Sequence, residues 1–175
     1  MSDDARRTQR FEEFIVPEMP FLARVARSMS RSQAEAEDLA QETLVKAFRA
    51  LDGFDGQHPR AWLARIARNT AINRDQRNRE FLLPDEGTVE PEPDDGANPE
   101  DIVLSRVVDA DLVRALDELP PEFRVVVQLV DVEEMSYKQA ADALDIPLGT
   151  VMSRLHRARA RLRRSLQGTP LDSGT

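Results

Sequence analysis

Residues 134–166 read EMSYKQAADALDIPLGTVMSRLHRARARLRRSL, two helical patterns separated by a three-residue turn. Ser136 and Gln139 have capping-box spacing, which opens a first helix running to Leu144. Asp145-Ile146-Pro147 is the turn, and Leu148–Leu166 forms the second helix. Ala140 and Ala141 are small enough for close approach of the two helices, with Leu144, Ile146, Val151 and Leu155 as their shared core. On the second helix Val151, Leu155, Ala158 and Leu162 make an inward stripe. Thr150, Ser153, Arg154, Arg157 and Arg161 make the adjacent outward stripe. From Gly149 to Gly168 there are six arginines and no acid. A tight helical pair whose second member is rich in Arg and Ser/Thr describes a helix-turn-helix. In a major groove its arginines can bond guanine O6 and N7 while Thr and Ser hold phosphates. A basic amphipathic helix that only keeps the chain soluble is the plainer alternative, and the preceding helix and turn weigh against it.

Working outward, Asn98-Pro99-Glu100-Asp101 is an N-cap, an N1 proline and first-turn acids, predicting a helix to about Leu119. Pro120-Pro121 break it and open a short helix holding the apolar run Val125–Val127. Further upstream everything reads as helix: Arg10–Ile15, Glu18–Met29, then a helix from the Ser32/Glu35 capping pair to about Ala50. Ala36, Ala40, Leu44, Ala47 and Leu51 are spaced to face a core, while Glu35, Asp38 and Glu42, with Gln41 beside them, form an acidic stripe. Solvation is the ordinary explanation of such a stripe.

Pro59 starts a helix, PRAWLARIARNTAINRDQRNR, predicted to reach about Asn78. It carries six arginines, Arg60, Arg65, Arg68, Arg74, Arg77 and Arg79, against one internal acid, Asp75. Trp62, Asn69 and Asn73 share a face. An aromatic ring and amides among arginines can stack on and hydrogen-bond unpaired bases while guanidinium groups hold phosphates. Trp62 taken by itself reads more readily as a core anchor than as a base-stacking ring.

The chain has 175 residues, 32 acids against 24 bases, and no cysteine. The imbalance is local: residues 81–101, FLLPDEGTVEPEPDDGANPED, contain eight acids and no base. With four prolines and two glycines this segment reads as a flexible linker. The expected architecture is therefore all-α, with two helical domains (1–80 and 99–170) joined by an acidic linker (81–98). Its carboxylates, among them Asp85, Glu86, Glu90, Glu92, Asp94 and Asp95, should repel duplex phosphates at short range. Without cysteine there is no disulfide, thiol nucleophile or Cys-type zinc site, and His58 and His156 are too far apart in sequence to suggest a metal cage. No catalytic constellation, metal site or cofactor is expected. No apolar run long enough to span a membrane and no signal-peptide core occur, so membrane insertion is not expected and a cytoplasmic location is.

AEAEDLAQETLVKAFRAL with AWLARIARNTAINRDQRNR resembles region 2 of bacterial sigma factors. ALDELPPEFRVVVQLVDVEEMSYKQAADALDIPLGTVMSRLHRARARLRRSL resembles region 4. Separated only by a linker, the two resemble the extracytoplasmic-function (ECF) group of the sigma-70 family. The resemblance implies a non-enzymatic factor that brings core RNA polymerase to promoters, commonly in stress responses. It implies that Asp38, Gln41 and Glu42 dock on the clamp helices of the largest polymerase subunit, with the second domain on the beta flap. It also implies −10 recognition through Trp62, Arg65, Asn69, Asn73 and Arg77, and −35 recognition through Thr150, Ser153, Arg154, His156 and Arg157. An anti-sigma partner is common in the group. Two departures stand out: Met152 where Lys or Arg is frequent, and Asp145 where the turn often has glycine, a left-handed position that Asp tolerates. A polymerase-independent helix-turn-helix repressor or activator is the rival reading.

Overall fold

A computed structural model describes residues 2–74 and 110–167. The acidic linker, the start of the expected 99–119 helix, and Asp75, Arg77 and Arg79 lie outside the described residues. Within them the chain is helical, with no strand.

In the first lobe α1 spans Asp3–Phe14. It begins well before the expected Arg10, because Ser2 caps it by accepting from the Ala5 amide at 3.3 Å and Asp3 and Asp4 favour the positive end of the helix. A 3₁₀ turn, Val16–Glu18, carries Pro17 into α2, Met19–Ser28, which buries Phe21, Leu22, Val25 and Ala26. Helix α3, Gln33–Ala50, has Ser32 as its cap, as expected. The Glu35 carboxylate accepts from the amide of Arg31 at 3.0 Å, one residue before the cap. The core face of α3 is rotated from the expected one. Leu39 and Thr43 are buried with Ala36 and Ala47, whereas Ala40 and Leu44 are only partly covered. Thr43 can be buried because its hydroxyl donates to the Leu39 carbonyl at 2.7 Å. Helix α4 spans Pro59–Arg74 and packs against α2 and α3.

In the second lobe α5 covers Ala110–Glu118, and α6, Pro121–Val127, follows Pro120 with a proline at N1. Here α6 runs on into a π-turn, Gln128–Val132, which the periodicity did not predict. Helix α7, Tyr137–Leu144, has both halves of the capping box: Gln139 N–H to Ser136 Oγ and Ser136 N–H to Gln139 Oε1, each 3.1 Å. Asp145 ends it with φ 52°, the left-handed turn expected there. Helix α8, Leu148–Gln167, buries Val151, Leu155, Ala158 and Leu162 as read from the spacing and packs on α5, α6 and α7.

Helices of the two lobes also pack on one another. Helix α7 packs along α4, and α6 with its π-turn packs on α2. One apolar core runs through both lobes, from Phe21 and Leu63 to Val126 and Leu155.

Candidate nucleic-acid interface

Pro59 starts α4 directly behind a strained loop: Gly56 has φ 82° and His58 has φ 50°. A side chain at Gly56 would lie 3.5 Å from the Phe14 ring in a backbone already suited to glycine. That loop presents Phe54, whose ring stacks on Trp62 with centroids 4.6 Å apart and planes at 29°. Trp62 is thus half-buried. One face belongs to the core, and its edge borders an open cleft of about 300 Å³ that His58, Arg65 and, from the other lobe, Asp142 and Ala143 also line. Sequence reasoning found Trp62 but not Phe54 or His58. Gly53 and Gly56 ahead of Pro59 are a loop signal in the sequence, but they carry no sign of the ring stacking that shapes it.

Further along α4, Asn69 and Asn73 are exposed, as their shared face suggested. Arg68 is not. It is 6% exposed, so it does not stand open to phosphate as the reading of this helix's guanidinium groups expects. It lies four residues from Ala64 and three from Ala71, so it sits at the margin of the buried stripe. Its Nη1 donates to Asn69 Oδ1 at 3.1 Å and lies 3.8 Å from an Asp145 oxygen, while its buried Nε has no hydrogen-bond partner. Burial pushes the Arg68 pKa down, with Asp145 opposing. Arg65 is exposed, yet its Nε and Nη2 donate to the Asp142 carbonyl at 3.2 and 2.8 Å.

On α8, His156 and Arg157 are exposed, Thr150 and Ser153 are half-buried, and Arg161 lies over the Phe123 ring, 4.7 Å from its centroid. Arg154 is a second correction. At 7% exposed it belongs with Val151 and Ala158, three and four residues away, rather than on the outward stripe. Arg159 turns inward to Asp131, at 2.5 and 3.1 Å, and this hydrogen bond holds its pKa up. Met152 and Leu148 are the exposed apolar residues at the start of the helix.

The acidic face of α3 keeps Asp38 and Gln41 exposed, with Glu42 partly covered. Its charges have partners within the chain: Arg74 lies 3.8 Å from Asp38 and 3.5 Å from Glu42, and Lys46 lies 3.1 Å from Glu42. Both this face and the α4 amides are on the first lobe, while the α8 residues are on the second. Among the described residues no group of three potential ligands could hold a metal ion, and no helix is long and apolar enough to cross a membrane.

The Sigma-70 region 2 family matches residues 14–80, and the Sigma-70, region 4 family matches residues 109–162. The chain is 41% identical over 143 residues to the ECF RNA polymerase sigma factor SigE of Mycolicibacterium smegmatis, an alignment covering 80% of this chain and 55% of that relative. It therefore spans little more than half of that protein's length. It is 34% identical over 142 residues to the ECF RNA polymerase sigma factor SigW of Bacillus subtilis, with 76% of each chain covered. Among solved structures, the sigma factor RpoE in complex with the anti-sigma factor NepR from Bartonella quintana superposes with a TM-score of 0.66 at 32% identity, covering 90% of this chain and 97% of that one. CnrH in complex with the cytosolic domain of CnrY gives 0.60 at 26% identity, covering 94% and 97%. With both lobes matched in order, and a relative of similar length above 30% identity, this chain belongs to the ECF group of the sigma-70 family.

Proposed function

We propose that this chain directs core RNA polymerase to promoters by dividing recognition between α4 and α8. The observation that carries the division is chemical: α4 exposes amides beside a half-buried indole, and α8 exposes guanidinium and imidazole groups on a rigid helix. Amides and aromatic rings suit unpaired bases, and arginine on a helix suits guanine edges in a duplex groove. Asn69 and Asn73, with Trp62, Arg65 and Arg77, then hold the melted −10 strand. Thr150, Ser153, His156 and Arg157 read the −35 element, with the buried Arg154 in a supporting position.

The first lobe docks on the polymerase clamp through Asp38, Gln41 and Glu42, and the second on the beta flap. The domains are 1–80 and 99–170, with 81–98 as linker. The protein works in the cytoplasm and catalyses no reaction itself. An anti-sigma factor controls it, as the RpoE–NepR pairing suggests by similarity. The test is run-off transcription with core polymerase on genomic fragments. Specific transcripts that need both polymerase and this chain support the reading. Tight duplex binding by the chain alone, without transcripts, would replace it with a polymerase-independent regulator.

A further inference from the structure

Helix α8 has an apolar edge that the core of its lobe does not use. Val151, Leu155, Ala158 and Leu162 already fill the buried stripe. Met152 is 51% exposed, the most of any large apolar side chain among the described residues. Leu148, one turn before it, is 48% exposed. On a helical surface the neighbours of residue 152 are residues 148, 149, 155 and 156. Met152 therefore borders the buried Leu155 on one side and the exposed His156 on the other. Beyond His156 the open face continues through the half-buried Ser153 to the exposed Arg157.

Gly149 lies beside this edge. Its backbone is helical rather than left-handed, and a Cβ added there would meet nothing within 4 Å. Neither backbone nor packing inside the chain calls for a glycine that weakens the first turn of the helix. Its effect is outward: the backbone between Met152 and Ser153 is left bare, so another body can come close to it. The charge around the edge selects that body. From Gly149 to Gly168 there are six arginines and no acid, which suits the phosphates of a duplex. A major groove about 12 Å wide admits one helix, and the apolar group it offers at a base edge is the C5-methyl of thymine. An unbranched, polarisable thioether packs on such a methyl, whereas lysine or arginine at the same place would seek phosphate or guanine.

We propose that Met152, backed by Leu148, is a specificity residue of α8 that reads a thymine methyl in the −35 duplex. Gly149 brings the helix close enough for the contact. The inference rests on α8 being the −35 helix and deepens that reading, because it names a base that Arg157 does not select. The contact carries no charge, so it adds sequence discrimination without adding salt dependence.

The test uses the full chain bound to core polymerase. Its probes are duplexes from a promoter found by run-off transcription, with the −35 segment randomised, and circular dichroism checks that each variant keeps its helices. The unsubstituted holoenzyme should enrich a thymine in that segment. Replacing this thymine by deoxyuridine, which lacks only the methyl, should weaken binding about fourfold. In Met152→Ala the same replacement should change nothing, and Leu148→Ala should reduce the penalty without abolishing it. In Met152→Lys the thymine preference should vanish while the salt dependence of binding steepens. A deoxyuridine penalty that persists in Met152→Ala, or none at any thymine with the unsubstituted chain, overturns the proposal. If Arg157→Ala still loses a guanine preference in that case, α8 remains the −35 reader. No enriched upstream sequence, together with no effect of Arg157→Ala, overturns both. Weaker binding of Met152→Ala or Leu148→Ala to core polymerase without DNA makes the edge a protein contact and overturns the methyl reading.

Discussion

Helices α4 and α8 are both arginine-rich, yet the fold places their arginines differently. On α4, Arg65 and Arg68 face oxygens of the opposite lobe, Arg60 donates to Glu18 of its own lobe at 2.7 Å with Glu133 3.6 Å away, and the amides Asn69 and Asn73 face solvent. On α8, Arg159 is held inside its own lobe by Asp131, and Arg157 and His156 stand exposed. The helix proposed to read duplex keeps a guanidinium and an imidazole open to solvent. On the other the amides are open, while the arginines are engaged by oxygens of the chain itself.

The harshest way to break this comparison is to remove the ridge that aims α8. Leu155 is 1% exposed in the core under that helix. Leu155→Ala should destabilise the fold by about 2–5 kcal/mol, read by equilibrium urea unfolding. A loss under about 1 kcal/mol would mean that α8 is not anchored through this residue. Next in size is Arg157→Ala, which should cost about 1–3 kcal/mol in holoenzyme binding to promoter DNA. The loss should depend on the −35 sequence, and an equal loss on every sequence would demote Arg157 to a phosphate contact.

On the α4 side, Asn69→Ala should weaken open-complex formation by about 1 kcal/mol, the worth of one hydrogen bond, with polymerase binding unchanged. A pre-melted bubble should recover only part of the loss. Normal transcription from duplex templates would leave Asn69 only its contact with Arg68. The smallest effect sharpens the helix-turn-helix itself. Asp145→Ala at φ 52° should cost about 1 kcal/mol in thermal or urea unfolding, and Asp145→Asn distinctly less, because an amide side chain tolerates that backbone. Equal losses would show that the charge facing Arg68 matters rather than the turn.

Much of the fold is legible in the sequence wherever a local rule decides. The Ser136/Gln139 box, the left-handed Asp145, the four-residue ridge of α8 and the paired amides of α4 each follow from spacing and backbone preference alone. What failed depended on tertiary neighbours. Arg68 and Arg154 look exposed by charge, but each lies at the edge of a buried stripe, where packing decides. The α3 stripe was misplaced because Thr43 satisfies its own hydroxyl and so competes with Leu44 for the core. The ion pair of Arg24 with Glu133, which joins the lobes, was invisible because the two are 109 positions apart, and nothing in either segment marks the other.

The π-turn at Gln128–Val132 gives the second lobe a dependence on chain length. A π-turn holds one residue more than the α-helix it interrupts. That residue sets the phase at which Asp131 meets Arg159 and Glu133 meets Arg24. Deleting any one residue there would remove the wide turn that the Glu133 amide closes on the Gln128 carbonyl at 3.0 Å and would move Asp131 and Glu133 relative to their partners. A single in-frame codon loss would then break an intra-lobe tie and an inter-lobe tie together while leaving every arginine in place. For this chain, the number of residues before Glu133 is as much a functional variable as their identity.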